Sequence, residues 1–262
     1  MMAVMVLAAV GPALLFLWLV LRQDRFPEPA APVLTTFVLG FAIIPVVILL
    51  AWPLDTWAAR VNDPVWTPVM EAFLTAAVPE EVLKFAVLTL YCLRHRHFNE
   101  PMDAIVYGVT ASLGFAALEN VLYVTQAGDD WTATAIARAL TAVPGHGALG
   151  AVMGLLLAKA RFGPPERRWP LAWALVVPIL LHGLYDAPLL WAERVRAAGG
   201  ELTDNQGLMM GAAVFAVLFV EVAWAWRALR RLRAGQQDWI EAAHRAAPVF
   251  EDWATEKRDR DR

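Results

Sequence analysis

Four short clusters of ionisable residues sit inside stretches that are otherwise apolar. They are Pro79-Glu80-Glu81-Val82-Leu83-Lys84, Leu118-Glu119-Asn120, Pro144-Gly145-His146-Gly147 and His182-Gly183-Leu184-Tyr185-Asp186. A charged side chain in the middle of a bilayer costs about 2.5 kcal/mol or more, so such groups face a protein interior or a water cavity and mark function. Glutamates, histidines and an aspartate around a wet pocket are the groups that hydrolysis by an activated water requires. A buried Glu can take a proton from water and return it to a leaving amine. Imidazoles and a carboxylate can hold zinc, which makes water nucleophilic near neutral pH, or can donate to a developing oxyanion.

Spacing sharpens each cluster. Glu80 and Lys84, at i and i+4, share a helix face and can pair, whereas Glu81 is turned by about 100° and can point at a neighbouring helix. A self-neutralising pair that only packs the bundle would not need the second glutamate. Glu119 and Asn120 taken alone read equally well as hydrogen-bonding glue between helices. The glycines around His146 let a backbone or substrate approach the ring. His182 and Asp186, also at i and i+4, suit two ligands of one metal or an imidazole oriented by a carboxylate, and equally a structural hydrogen bond. The working assignment makes Glu80 or Glu81 the general base and has His146 and His182 bind zinc or stabilise the oxyanion. Asp186 orients or joins them, Glu119 and Asn120 complete the polar wall, and Lys84 anchors the glutamate pair. A zinc ion, if used, would draw on His146, His182, Asp186 and Glu119.

The elements that must position these groups are membrane helices. Of the 262 residues, 59% are hydrophobic and 18% charged, against roughly 25% charged in an ordinary soluble domain. The expected fold is all-α: a polytopic transmembrane bundle of about seven spans, near residues 3–21, 33–52, 68–93, 104–125, 139–160, 171–191 and 208–228. The first span has no basic residue before it and reads as an anchor rather than a cleaved signal. One set of alternate loops and ends carries Arg22, Arg25, Arg94, Arg96, Lys159, Arg161, Arg167, Arg168, Arg227, Arg230, Arg231 and Arg233. The other carries Arg60, Arg138, Arg194 and Arg196. Cytoplasmic loops collect Lys and Arg, so the N-terminus is expected outside and the C-terminus in the cytoplasm.

The domain reading is a bundle over residues 1–233, with a motif-bearing core at 66–192, and a charged cytoplasmic tail at 234–262. The tail's Trp239, Ile240, Phe250 and Trp253 suit an interfacial helix, and its many charges suit an unstructured segment equally. Trp18, Trp52, Trp66, Trp169 and Trp191 fall near span ends, as an interfacial belt does. Pro79, Pro144, Pro178 and Pro188 lie beside the ionisable groups, where freed carbonyls can meet cavity water. Gly150 with Gly154, and Gly207 with Gly211, have the spacing that lets helices approach closely, either within one bundle or in a homo-oligomer.

Several classes fall away. The net charge of −3 shows no basic excess for nucleic acid. Ser112 is the only serine and Cys92 the only cysteine, at an expected cytoplasmic helix end, so neither a serine nor a cysteine nucleophile is supported. His95, His97 and His244 read as solvated surface residues. No G-x-S-x-G elbow or H-E-x-x-H helix is present.

These residues carry a resemblance. Glu80-Glu81-x-x-Lys84, then Asp103-Ala104-Ile105-Val106-Tyr107-Gly108 leading into Gly114-Phe115-Ala116-Ala117-Leu118-Glu119-Asn120, then His146, then His182-Gly183-Leu184-Tyr185-Asp186, resemble the PrsW family of intramembrane proteases. That family is similar to the CAAX prenyl endopeptidases and their bacteriocin-immunity-type relatives, which share an E-E-x-x-[RK] and a late H-x-x-x-[ND] motif. Their second motif ends in His where this chain has Glu119. The resemblance implies a multi-pass endopeptidase of the cell membrane, metal-dependent or glutamic, that cuts single-span or membrane-associated proteins, including anti-sigma factors trimmed on their extracytoplasmic side. Carried over by position, Glu80 and Glu81 match the glutamate pair and His182 the late histidine. The rival readings are a proton-coupled transporter, since buried Glu, His and Asp also form proton relays, and a catalytically inactive membrane interaction protein. Against the transporter, the sequence has no repeat of two similar halves.

Overall fold

The computed structural model describes residues 1–167 and 169–260, with side chains to Asp238 apart from residue 167. Arg168, counted above among the basic-loop residues, lies outside the described residues, as do the side chains of Trp239, Ile240, Phe250 and Trp253. The described chain is helical, with no strand. Its helices are α1 (Met2–Leu21), α2 (Ala30–Ala42), α3 (Ile44–Ala58), α4 (Trp66–Met70), α5 (Val78–Ala86), α6 (Pro101–Gln126), α7 (Trp131–Leu140), α8 (Ala142–Phe162), α9 (Trp173–Ala197) and α10 (Asp204–Arg260). Among the described residues, six segments are long and apolar enough to cross a membrane: Met2–Leu21, Ala30–Val61, Pro101–Gln126, Gly128–Phe162, Trp173–Ala197 and Asp204–Asp238. The chain is a multi-pass membrane protein.

The expected third span is a rod of a different kind. It runs from α4 through a π-helical segment, Glu71–Ala77, into α5 and then a second π segment, Val87–Tyr91. Pro79 lacks the N–H that would bond back to Thr75 and crowds that carbonyl, so the turn before it widens. Two further boundaries differ from expectation for related reasons. Pro144 cannot donate to Leu140, and the expected fifth span divides at Thr141 into α7 and α8. The last helix does not stop near Ala228. Arg227–Arg233 is a run of Arg, Ala and Leu, all strong helix formers, and carries α10 onward to Arg260. The four prolines also differ among themselves. Pro79 stands where the π turn gives way to α5 and Pro144 in the first turn of α8, while Pro178 and Pro188 lie inside α9.

α6 and α8 form the buried centre: 78% of the apolar window of Pro101–Gln126 and 72% of that of Gly128–Phe162 are enclosed. Glycine decides how near they come. A Cβ on Gly154 would stand 2.1 Å from the Ala104 carbonyl oxygen, and one on Gly108 2.3 Å from that of Gly150. The Gly150/Gly154 pair is thus used inside the bundle. Gly40 and Gly114 do the same between α2 and α6, against the Ala111 and Phe37 carbonyls. By contrast, nothing lies within 4 Å of a Cβ on Gly207 or Gly211.

At one end of the bundle α1, α6 and α10 are tied by acidic and amide groups. Asp103, completely buried, accepts from the backbone N–H of Asn99 (2.7 Å) and Glu100 (2.8 Å) and so caps α6. One turn on, the Tyr107 hydroxyl donates to Glu28 at 2.5 Å. Gln236 donates to Asp24 (2.8 Å) and Glu100 (2.7 Å), and accepts from the Arg25 N–H (3.2 Å). Burial and the neighbouring Asp103 and Asp24 push the Glu100 carboxyl up to about 7, and burial also raises Glu28.

A group whose folded value exceeds its unfolded one contributes stability below the unfolded value and loses it as pH rises through the folded one. The unfolding free energy is therefore expected to fall as pH rises from about 5 to 8, by about 1–2 kcal/mol for Glu100 after allowance for its partial solvent screening, and the midpoint falls with it. A pH series of thermal unfolding in detergent checks this, and Glu100→Gln should flatten the curve.

Candidate active site

The rod from Trp66 to Arg94 is held against α9 at both its π-widened start and its charged middle. Arg194 on α9 donates to both Glu71 oxygens, at 2.5 and 3.2 Å. In the middle, Glu80, Glu81 and Lys84 are all buried. Lys84 Nζ donates to Glu80 Oε2 at 3.1 Å and to Glu81 Oε1 at 2.8 Å, so both glutamates pair with it, not Glu80 alone. The same ammonium lies 3.3 Å from His146 Nδ1 on α8 and 4.1 Å from the Phe115 ring centroid on α6. Three helices, α5, α6 and α8, thus converge on one cation.

The histidines follow from these contacts. With Nδ1 accepting from Lys84, His146 carries its proton on Nε2 and donates to Glu119 Oε2 at 2.9 Å. His182 has Nδ1 at 2.9 Å from Glu81 Oε1 and Nε2 at 3.1 Å from Asp186 Oδ2, so the ring satisfies both acceptors only as a double donor. Its Nε2 is also 3.9 Å from Glu80 Oε2. The two rings meet edge to face, 5.5 Å between centroids. Gly183 is needed beside His182, because a Cβ there would meet the Phe73 ring at 2.4 Å.

A cavity of about 530 Å³ opens beside this cluster and reaches the Arg196–Gly207 end of the bundle. Glu80, Glu119, His146, His182 and Asp186 line it. Glu81 and Lys84 do not; they are fully enclosed behind it. Asn120, expected on the polar wall, is also behind: its Nδ2 donates to the Ala9 carbonyl and its Oδ1 accepts from Arg138 Nε at 2.6 Å. The reason is helical phase, since Asn120 is turned by about 100° from Glu119 and so faces α1.

Two cavity residues went unnoticed in the sequence. Arg138 on α7 donates to Glu119 as well as Asn120 and lines the cavity, yet by position it reads as a loop charge. Glu221 on α10 is 1% exposed, lines the cavity, and has no hydrogen-bond partner for either oxygen. Its signal was available, as the one acidic residue inside the last apolar run. The set-aside residues lie elsewhere: Cys92 is buried against Thr36, and His95 stacks on His97.

The donors do not converge on a metal at the expected set. His146, His182, Asp186 and Glu119 direct their atoms at each other and at neighbouring side chains in separate pairs. Among the described residues, the group around this cavity whose ligand atoms do gather is Glu80, Glu81 and His146, within 4.8 Å of one another. Lys84 Nζ lies within 3.3 Å of an atom of each. As folded, that point fits an ammonium rather than a metal ion.

Comparison with known proteins agrees with the motif reading. The family model described as "PrsW family intramembrane metalloprotease" matches residues 28–230, which include every cavity residue named above. Protease PrsW of Geobacillus kaustophilus (strain HTA426) is 36% identical over 229 residues, covering 86% of this chain and 89% of that protein. Protease PrsW of Bacillus subtilis (strain 168) is 36% identical over 182 residues, 68% and 79% respectively. That of Clostridioides difficile (strain 630) is 30% identical over 188 residues, 70% and 78%. No solved structure matches the chain. With the family match spanning most of its length and relatives alike over most of theirs, the chain belongs to the PrsW family of intramembrane metalloproteases, hydrolases of the cell membrane.

Proposed function

We propose that this protease hydrolyses a peptide bond of a single-span or membrane-associated protein with a water activated by Glu80. The observation that carries this is the division of the glutamate pair: Glu80 faces the cavity, while Glu81 is sealed behind it between Lys84 and His182. Glu80 takes a proton from water as its oxygen attacks the scissile carbonyl carbon. The same carboxyl returns that proton to the leaving amine as the C–N bond breaks. Arg138, which lines the cavity and has guanidinium N–H groups beyond those given to Glu119 and Asn120, donates to the charge that develops on the carbonyl oxygen, and the doubly protonated His182 ring adds positive charge beside it. Glu81 and Asp186 hold the His182 ring, and Asn120 holds Arg138. Lys84 balances the glutamates and orients His146.

The family's description names a metal, and zinc is its natural candidate, but no step here is routed through one because Lys84 holds the convergent point. The basic loops gather at the end opposite the cavity mouth, so by the positive-inside rule the mouth faces outward. That agrees with a substrate such as an anti-sigma factor, cut on its extracytoplasmic side.

Metal removal tests the mechanism. Purified protein in proteoliposomes, freed of metal and assayed with EDTA on a single-span reporter, should cleave at the rate of the untreated enzyme. Loss of cleavage that added zinc restores would overturn the glutamate mechanism in favour of a metal one.

A further inference from the structure

The face of α10 turned to the bundle reads Gly207, Gly211, Val214, Leu218 and Glu221, at helical spacing. Its lower part is packed, with Val214 and Leu218 buried. Its upper part is not: Gly207 and Gly211 line the cavity and have open space where a side chain would stand. The facing wall is α9, through Tyr185, Asp186, Leu189 and Leu190. α9 and α10 therefore enclose a cleft that runs from the outer end down to His182 and Glu80. At its floor lies Glu221, nine-tenths buried and more, with both oxygens unpartnered. A carboxyl group enclosed in this way is costly until a donor reaches it. Among the described residues no side chain donates to it: Lys84 gives to Glu80 and Glu81, His182 to Glu81 and Asp186, and Arg138 to Glu119 and Asn120, which leaves the place open to a donor from a bound peptide.

We propose that the cleft between α9 and α10 seats the substrate as an extended peptide, its main chain lying over Gly207 and Gly211 and a main-chain N–H donated to Glu221. This rests on the hydrolytic reading above. An unwound peptide within the bilayer must find partners for its own N–H and C=O groups, and an unpaired carboxyl in the same cavity as the reacting glutamate supplies one. The glycines supply the close approach. Glu221 is a substrate-binding residue and takes no part in proton transfer to or from water.

The test uses the full chain in proteoliposomes with a single-span reporter and four variants: Gly211→Leu, Glu221→Ala, Glu221→Gln and, as control, Glu80→Gln. Because Gly211 has open space around it and leucine favours helix over glycine, Gly211→Leu should unfold no earlier than wild type. It should nonetheless lower kcat/KM at least tenfold. Glu221→Ala should raise KM at least tenfold with a smaller change in kcat, and Glu221→Gln, which keeps an acceptor oxygen, should recover part of that loss. A photocrosslinker placed at position 211 should capture the reporter, a readout that a purely structural role would not produce. If Gly211→Leu and Glu221→Ala cleave within twofold of wild type while Glu80→Gln is inactive, the seating proposal is wrong and the catalytic reading stands. If Glu80→Gln itself cleaves like wild type, the catalytic reading fails and this proposal with it.

Discussion

Glu80→Gln should lower kcat/KM on a single-span reporter by about 10²–10⁴-fold, the range that loss of a general base produces. Unfolding should change little, because Lys84 keeps Glu81 at 2.8 Å and the amide of Gln can still accept from it. Glu81→Gln is expected to behave differently. Its Oε1 accepts from both Lys84 and His182, so the amide loses a charge that fixes two side chains, and both activity and the unfolding midpoint should fall. Measuring kinetics and thermal unfolding on the same preparations separates the two roles. Full activity in Glu80→Gln would remove it as the base, whatever Glu81→Gln does.

Lys84→Met should be the most destabilising single change at the site. The methionine fills similar volume against Phe115 but leaves two buried carboxylates without their cation, and removing one partner of a buried ion pair costs about 3–5 kcal/mol. His146 also loses the donor to its Nδ1 and with it the fixed tautomer that points Nε2 at Glu119. The double variant Lys84→Met with Glu81→Gln should be more stable than Lys84→Met alone, since one uncompensated charge is gone. Denaturant or thermal midpoints in one detergent measure this cycle. A Lys84→Met protein as stable as wild type would mean that the ammonium does not hold the cluster together.

These two residues also show where sequence and structure part. An ionisable residue in an apolar run is conspicuous because lipid penalises it, so Glu80, Glu81, Lys84, Glu119, His146, His182 and Asp186 could be read directly from the chain. The i, i+4 spacing likewise made the Glu80–Lys84 and His182–Asp186 pairs readable, and the structure places these at 3.1 Å each. What spacing could not supply was any pair between helices. The Glu81–His182 and Lys84–His146 contacts join residues 101 and 62 positions apart, and only packing brings them together. Arg138 illustrates the limit best: its position marks it as a loop charge, and its function as a partner of Glu119 exists only because α7 folds back over α6.

The sequence by itself determined that the chain is a helical membrane bundle, that its scarce charges within apolar runs stand out from the rest, and which family's motifs they match. These are local or additive properties: the hydropathy of a window, the angular step of a helix, the order of motifs. The tertiary structure alone decided which of the two glutamates faces the cavity, that Asn120 does not, and that Lys84 stands where the carboxylates and His146 would otherwise gather a metal. It also decided that Gly150 and Gly154 pack inside the bundle while Gly207 and Gly211 border an open cleft, although both pairs have the same spacing. Such outcomes depend on helix rotation and on which neighbour arrives, and those are fixed by the packing of the whole bundle rather than by any one segment of it.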